Sequence, residues 1–173
     1  MSDRGRKVRL AELAQGPVRV ALSPDEAERA RLAASLGLEG LPNLTAEIEI
    51  RPWLDGAEIL GRFDAVVTQI CGVTLDPFDA ALGGDIDVRV LPAGSPNAPE
   101  EETGGEVALD LEAPDPPDEL DGEEIDLAAY VVEHLALAID PYPRKPGVEF
   151  DYVPETPNDS PFAALEALKR RGG

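Results

Sequence analysis

The densest apolar pattern in the chain runs from Arg62 to Phe78, RFDAVVTQICGVTLDPF. In an extended strand Val66, Thr68 and Ile70 fall on one face, and Ala65, Val67, Gln69 and Cys71 on the other. Both rows are largely apolar, which predicts a central strand covered on both sides. The run closes on the turn signal Asp76-Pro77. Upstream, Leu44, Ala46, Ile48 and Ile50 alternate with Thr45, Glu47, Glu49 and Arg51, a strand with one wet face. Pro52 within its continuation through Trp53 and Leu54 implies an edge or a bulge. Asp55-Gly56 predicts a hairpin, with a return strand over 57–71 bent near Gly61. Phe78–Leu82 continues the pairing and Gly83-Gly84 punctuates it. Ile86, Val88 and Val90, alternating with Asp85, Asp87 and Arg89, then predict a further half-exposed strand stopped by Pro92. Residues 44–91 thus read as an antiparallel meander.

Before the meander, Val8–Ala14 has a short apolar rhythm broken by Gln15-Gly16-Pro17, and Val18–Leu22 alternates as a short strand. Ser23-Pro24-Asp25-Glu26 predicts a helix start with Ser23 as N-cap and Pro24 in the first turn; the helix runs to Leu36 and Gly37 stops it. After the meander, 93–117 is rich in proline, glycine and acids. It predicts a mobile loop with a short strand at 107–111, as consistent with a solvated linker as with a polyanionic arm. The strongest helical pattern covers 127–139. Leu127, Val131, Leu135 and Ala138 form its stripe, Asp126 is placed to cap it, and Asp140-Pro141-Tyr142-Pro143 ends it. Arg144-Lys145-Pro146-Gly147 follows as a basic loop. Phe150, Tyr152 and Val153 suggest a last short strand, and 161–171 a second helix striped by Phe162, Leu165 and Leu168. The fold class is α+β: an antiparallel sheet, a meander that barrel-like closure would also satisfy, with a long helix packed on it and a disordered acidic loop. Residues 1–173 read as a single domain, with 1–16 an N-terminal tail and 93–117 the acidic flexible loop.

Charge narrows the partners. Fifteen Lys and Arg against thirty-five Asp and Glu give a net charge of −20. The average field repels a phosphate backbone and attracts a basic protein. Solubility alone would also explain such a balance. Gly94–Asp126 carries thirteen acids and no Lys or Arg. Basic residues cluster near the ends, at Arg4, Arg6, Lys7 and Arg9 and again at Lys169, Arg170 and Arg171, so a local contact to RNA stays open. No stretch approaches the roughly 20 apolar residues of a membrane helix, and no apolar core follows the basic N-terminus as in a signal peptide. With a single cysteine, these features point to the cytoplasm.

No catalytic constellation emerges, and the chain reads as non-enzymatic, with no metal site and no cofactor. Motifs for phosphate cradles, nucleophile elbows and zinc proteases are missing. His134, the lone histidine, sits beside Glu133 among apolar neighbours and reads as a hydrogen-bonded helix residue. Cys71 reads as a small buried hydrophobe. Glu100-Glu101-Glu102 lacks the spacing of a calcium loop. Loops are the better place for function. Two combine shape with charge: Gly72–Pro77 after the central strand, and Pro141–Gly147, where Arg144 and Lys145 stand out in an acidic protein. The candidate interaction surface is accordingly Cys71, Thr74, Asp76, Pro77, Glu133, His134, Asp140, Pro141, Pro143, Arg144 and Lys145, although an ordinary connection looks much the same.

Three stretches in order, VTQICGVTLDPF at 67–78, DELDGEEIDLAAYVVEHLALAIDPYPRKPG at 118–147 and NDSPFAALEALKRR at 158–171, resemble the YceD family of large ribosomal RNA subunit accumulation proteins, in its alphaproteobacterial form. The likeness covers about 44–171. Many members of that family carry Cys-x-x-Cys where this chain has Cys71-Gly72-Val73-Thr74. Thr74 stands at the second position, so a zinc or redox role resting on a cysteine pair does not carry over. The resemblance implies a non-enzymatic role in synthesis, processing or stability of large-subunit (23S) ribosomal RNA. Genes of the family often neighbour that of a small, basic, zinc-ribbon-type protein of the large subunit, which makes a basic ribosomal protein the expected partner and ribosomal RNA an indirect or weak one. The alternative is a direct RNA-binding module using the 141–147 loop and the basic C-terminal helix. A third reading, a metal-dependent nuclease using acidic clusters, has less support. The oligomeric state is not legible.

Overall fold

The computed structural model describes residues 7–99 and 115–150. In chain order these form β1 (Lys7–Arg9), a short 3₁₀ turn (Leu10–Gln15), β2 (Val18–Leu22), α1 (Glu26–Ser35), β3 (Gly40–Trp53), β4 (Gly56–Ile70), β5 (Pro77–Pro92), β6 (Asp118–Leu120), β7 (Glu124–Asp126) and α2 (Leu127–Ala138). The main sheet has the order β2-β3-β4-β5-β6. Its first three junctions are antiparallel, and β6 lies parallel to the end of β5. β1 and β7 make a separate two-stranded ribbon. The fold is mixed α+β with an antiparallel meander, as the alternation predicts. Barrel-like closure does not occur. Among the described residues β2 and β6 remain edges, and strands of five and three residues are too short to meet around a barrel.

One face of the sheet makes the core. Leu44, Ala46, Ile48 and Ile50 of β3, Ala57, Ile59, Phe63, Ala65 and Val67 of β4, and Ile86 and Val90 of β5 are buried there, under Leu127, Val131 and Leu135 of α2. The expectation that β4 is covered on both faces fails. Its second row holds Leu60, Val66 and Thr68 only half-buried and Ile70 exposed. That row shares its face with Arg19, Glu47, Glu49, Arg51, Glu58 and Arg89. These charges pair across the strands, Arg19 and Arg51 each 2.6 Å from Glu49 and Arg89 3.3 Å from Glu58. A face laced with ions stays in water, and the apolar side chains among them are the ordinary apolar fraction of a surface.

Gly83-Gly84 does not interrupt β5, which runs unbroken from Pro77 to Pro92. Gly84 faces Phe63 across the ladder, and a Cβ there would come within 2.9 Å of the ring. At the other end of β4, a Cβ on Gly56 would overlap the Val90 carbonyl. The two glycines let backbones and the largest core ring approach closely.

α1 is capped by Asp25 and not by Ser23. Asp25 Oδ1 accepts from the Glu28 amide at 2.9 Å, and Glu28 Oε2 accepts in return from the Asp25 amide at 3.2 Å. Ser23 also has an acid three residues on, Glu26, so both registers offer a reciprocal cap. The chain is still extended at Asp25 (φ −71, ψ 173), and the cap forms in the later register, where a carboxylate makes the stronger acceptor. α2 begins as predicted, with Asp126 Oδ1 accepting from the Ala128 and Ala129 amides. It is of average length, 12 residues, because Ile139 turns extended ahead of the proline exit. The expected tail over 1–16 is corrected from Lys7 onward. Val8 and Leu13 are buried, and Lys7 lies 3.2 Å from Glu124 in the facing strand. The strand at 107–111, most of the acidic loop, Tyr152 and Val153 of the last strand, and the 161–171 helix lie outside the described residues.

Two core substitutions test this layering. Phe63→Ala is expected to lower stability by about 3–5 kcal/mol, and Gly84→Val by about 1–3 kcal/mol through overpacking on the same ring. Urea denaturation measures both, with unchanged slopes expected for each.

Candidate interaction surface

β4 delivers its inner row directly into a loop. Beyond Val67, Gln69 is buried and its Nε2 donates to the Asp140 carbonyl at 3.0 Å. Cys71 follows on the same row. The Cys71 amide donates to the Asp76 carbonyl and the Leu75 amide to the Cys71 carbonyl, both at 2.9 Å, closing a tight turn before Pro77. The Asp76 amide donates to Thr74 Oγ1 at 3.4 Å. On the other side, Asp140 Oδ1 accepts from the Tyr142 amide at 2.8 Å, which sets the bend after α2. The two loops are then joined. Gly72 N donates to the Pro143 carbonyl at 2.9 Å, and Cys71 Sγ accepts from the Thr74 amide at 3.5 Å and from the Lys145 amide at 3.4 Å.

The structure therefore brings Cys71, Thr74, Asp76, Pro77, Asp140, Pro141, Pro143, Arg144 and Lys145 to one end of the sheet. It separates Glu133 and His134 from them. These two line a cleft of about 390 Å³ beside α2, with Asp87, Asp118 and Tyr130 in its walls. His134 Nδ1 donates to the Tyr130 carbonyl at 2.9 Å, the satisfied helix histidine the sequence suggests. Burial, with Asp118 and Glu133 nearby, pushes the Tyr130 hydroxyl up to about 12.

Cys71 is shielded from solvent, and the donors aimed at its sulfur outweigh the desolvation that would raise its pKa. The Lys145 amide, then the Thr74 amide and hydroxyl, aim positive dipoles at the sulfur and bring the thiol down from 9.0 to about 6. The sulfur thereby acts as an acceptor that ties two loops together, more than the inert packing atom the sequence suggests. Among the described residues no group of His, Cys, Asp and Glu could hold an ion, and Thr74 offers a hydroxyl and an amide where a second thiolate would be needed.

Sequence reasoning missed three members of this surface. Gln69 is the lone polar residue on the buried row of β4, a position whose burial demands a partner. Leu75 has φ 60 and is 74 % exposed. A leucine in the left-handed region costs roughly 1–2 kcal/mol, and the turn bonds on either side hold it there. Tyr142 is 82 % exposed and was legible only as part of a proline-bounded helix exit.

A family model described as "Large ribosomal RNA subunit accumulation protein YceD" matches residues 59–169, more than half of the chain. That span includes all of β4 but its first three residues, β5, α2 and both joined loops. No curated protein and no solved structure matches the chain.

The thiol gives a signed pH dependence. Its folded pKa, about 6, lies below the ordinary 9.0, so it contributes stability in full above pH 9 and loses that contribution as pH falls toward 6. Thiolate ultraviolet absorbance of the native protein is expected to rise with a midpoint near 6. Cys71→Ser should flatten the stability-versus-pH curve between those limits. A native midpoint near 9 would contradict the geometry.

Proposed function

We propose that this chain, which belongs to the YceD family, supports the accumulation of large-subunit ribosomal RNA as a non-enzymatic accessory factor that holds a basic ribosomal protein. The family's description ties its members to large-subunit RNA accumulation; the mode of action is our reading. The observation that carries it is the sign of the surface. The net charge is −20, and most cations of the exposed sheet face are already paired, Arg19 and Arg51 with Glu49 and Arg89 with Glu58. The carboxylates that remain, among them Glu47, Asp64, Asp85 and Asp87, present a field that draws in a basic protein and discourages free RNA. A factor that shields a basic protein until ribosomal RNA is ready would raise the yield of the mature subunit without any bond being cut or made.

A second reading, direct contact with RNA, is favoured by one local feature. Among the described residues no carboxylate forms an ion pair with Arg144 or Lys145, and Tyr142 stands exposed beside them. An aromatic ring with two cations can stack on an unpaired base and meet its phosphate.

Two measurements separate these. Purified basic proteins of the large subunit should be retained by the chain at low salt and released as salt rises; no retention at any salt concentration sinks the first reading. Gel shifts with ribosomal RNA fragments should show little binding by the wild type. Clear retention that Arg144→Glu and Lys145→Glu abolish would install the second reading in its place. Deletion of the gene should lower large-subunit RNA, read from precursor profiles.

A further inference from the structure

β5 is paired on one side along its whole length and on the other only at its end. β4 matches it from Pro77 to Val90, whereas β6 reaches only Val90, Leu91 and Pro92. The phase of the open side follows from one bond. The Ala93 amide donates to the Leu120 carbonyl, so odd-numbered residues of β5 turn their peptide groups away from β4. Asp79, Ala81, Gly83, Asp85 and Asp87 therefore carry peptide groups on the open edge, and all five are exposed. Among the described residues no strand pairs with them. Such an edge is a template for another strand.

Its side chains select what can pair. Ala81 and Gly83 put no bulk in the way. Asp79, Asp85 and Asp87 give one sign of charge, and no Lys or Arg occurs between Pro77 and Val88. At about 3.3 Å of rise per residue, Asp85 and Asp87 stand about 7 Å apart, the spacing of alternate side chains on any added strand. The edge then runs into the cleft where β6 begins, whose walls add Asp115, Asp118 and Glu133 beside His134 and an Arg89 already paired with Glu58. A second copy of β5 would set carboxylates against carboxylates. A chain with Lys or Arg at alternate positions would oppose them with the matching sign.

We infer that the open edge of β5, from Asp79 to Asp87, takes an extended basic segment of a partner protein as an added strand. Main-chain hydrogen bonds supply the pairing, and the carboxylates of the edge and cleft supply the selection. The inference rests on the reading above that the partner is a basic protein, and it specifies the place and manner of contact.

The probe is a synthetic peptide alternating lysine and valine, with a same-charge control in which two valines are replaced by proline. With the full chain, the first peptide is expected to slow amide exchange about tenfold at alternate residues from Asp79 to Asp87, and the control is not. Ala81→Pro removes a peptide N–H that faces away from β4, so the β4–β5 ladder keeps its bonds while peptide affinity falls about tenfold. Asp85→Asn with Asp87→Asn gives an independent loss without touching the backbone. Equal binding of the proline control, protection elsewhere than β5, or edge amides already slow before any peptide is added would each overturn the inference. With purified basic ribosomal proteins, retention that leaves these amides unchanged overturns strand addition and leaves the basic-partner reading standing; no retention even at low salt removes both.

Discussion

The closeness of β4 to its neighbours underlies the rest of the structure. A side chain on Gly56 would drive into the Val90 carbonyl, and one on Gly84 would press on the Phe63 ring. Without these two small residues β5 would stand further from β4, and the inner row from Ala57 to Cys71 would lose the flat bed on which α2 lies. Phe63, at the centre of that row, is essentially inaccessible to solvent, and the buried stripe of α2 packs into the same cluster. Because the core is a single layer between sheet and helix, the opposite face is left to charge. There arginines pair with Glu49 and Glu58, and the unneutralised carboxylates gather toward β5.

The same one-sided layering places the loop surface. α2 ends where β4 ends, so the proline-bounded exit of the helix meets the turn after the strand. Each contact that joins them uses a backbone group of the helix exit: the Gly72 amide donates to the Pro143 carbonyl, the Lys145 amide to Cys71 Sγ, and Gln69 Nε2 to the Asp140 carbonyl. A surface built this way displays Tyr142, Arg144 and Lys145 while hiding the sulfur that accepts from the Lys145 amide.

Much of this was legible from residue order. The alternation at Leu44–Ile50 and the Asp126 cap each carry a local cause, and each appears where that cause acts; the hairpin also forms, but one residue early, with Leu54 (φ 52) and Asp55 in the turn and Gly56 already paired with Trp53. What was not legible depends on distant partners. The outer row of β4 looks apolar by itself, and only the pairing of charges on neighbouring strands shows that it faces water. Gly83-Gly84 looks like punctuation until Phe63 is seen opposite it. Lys7–Arg9 looks like tail because its partner, Glu124–Asp126, lies far along the chain. The joined loops left a faint trace, since each bond between them draws on a backbone group of the distant 140–145 segment, which no particular side chain announces.

The ribbon of β1 and β7 also orders the chain in time. β2 to β5 meet through successive neighbours, so each can pair soon after it is made. Lys7, by contrast, must wait for Asp126. During synthesis the first strand therefore stays without its mate until nearly the whole sheet has been laid down. Val8, buried in the finished core, lacks the cover of β7 and α2 throughout that interval. Of the strands, the first made is in this sense the last to find its partner.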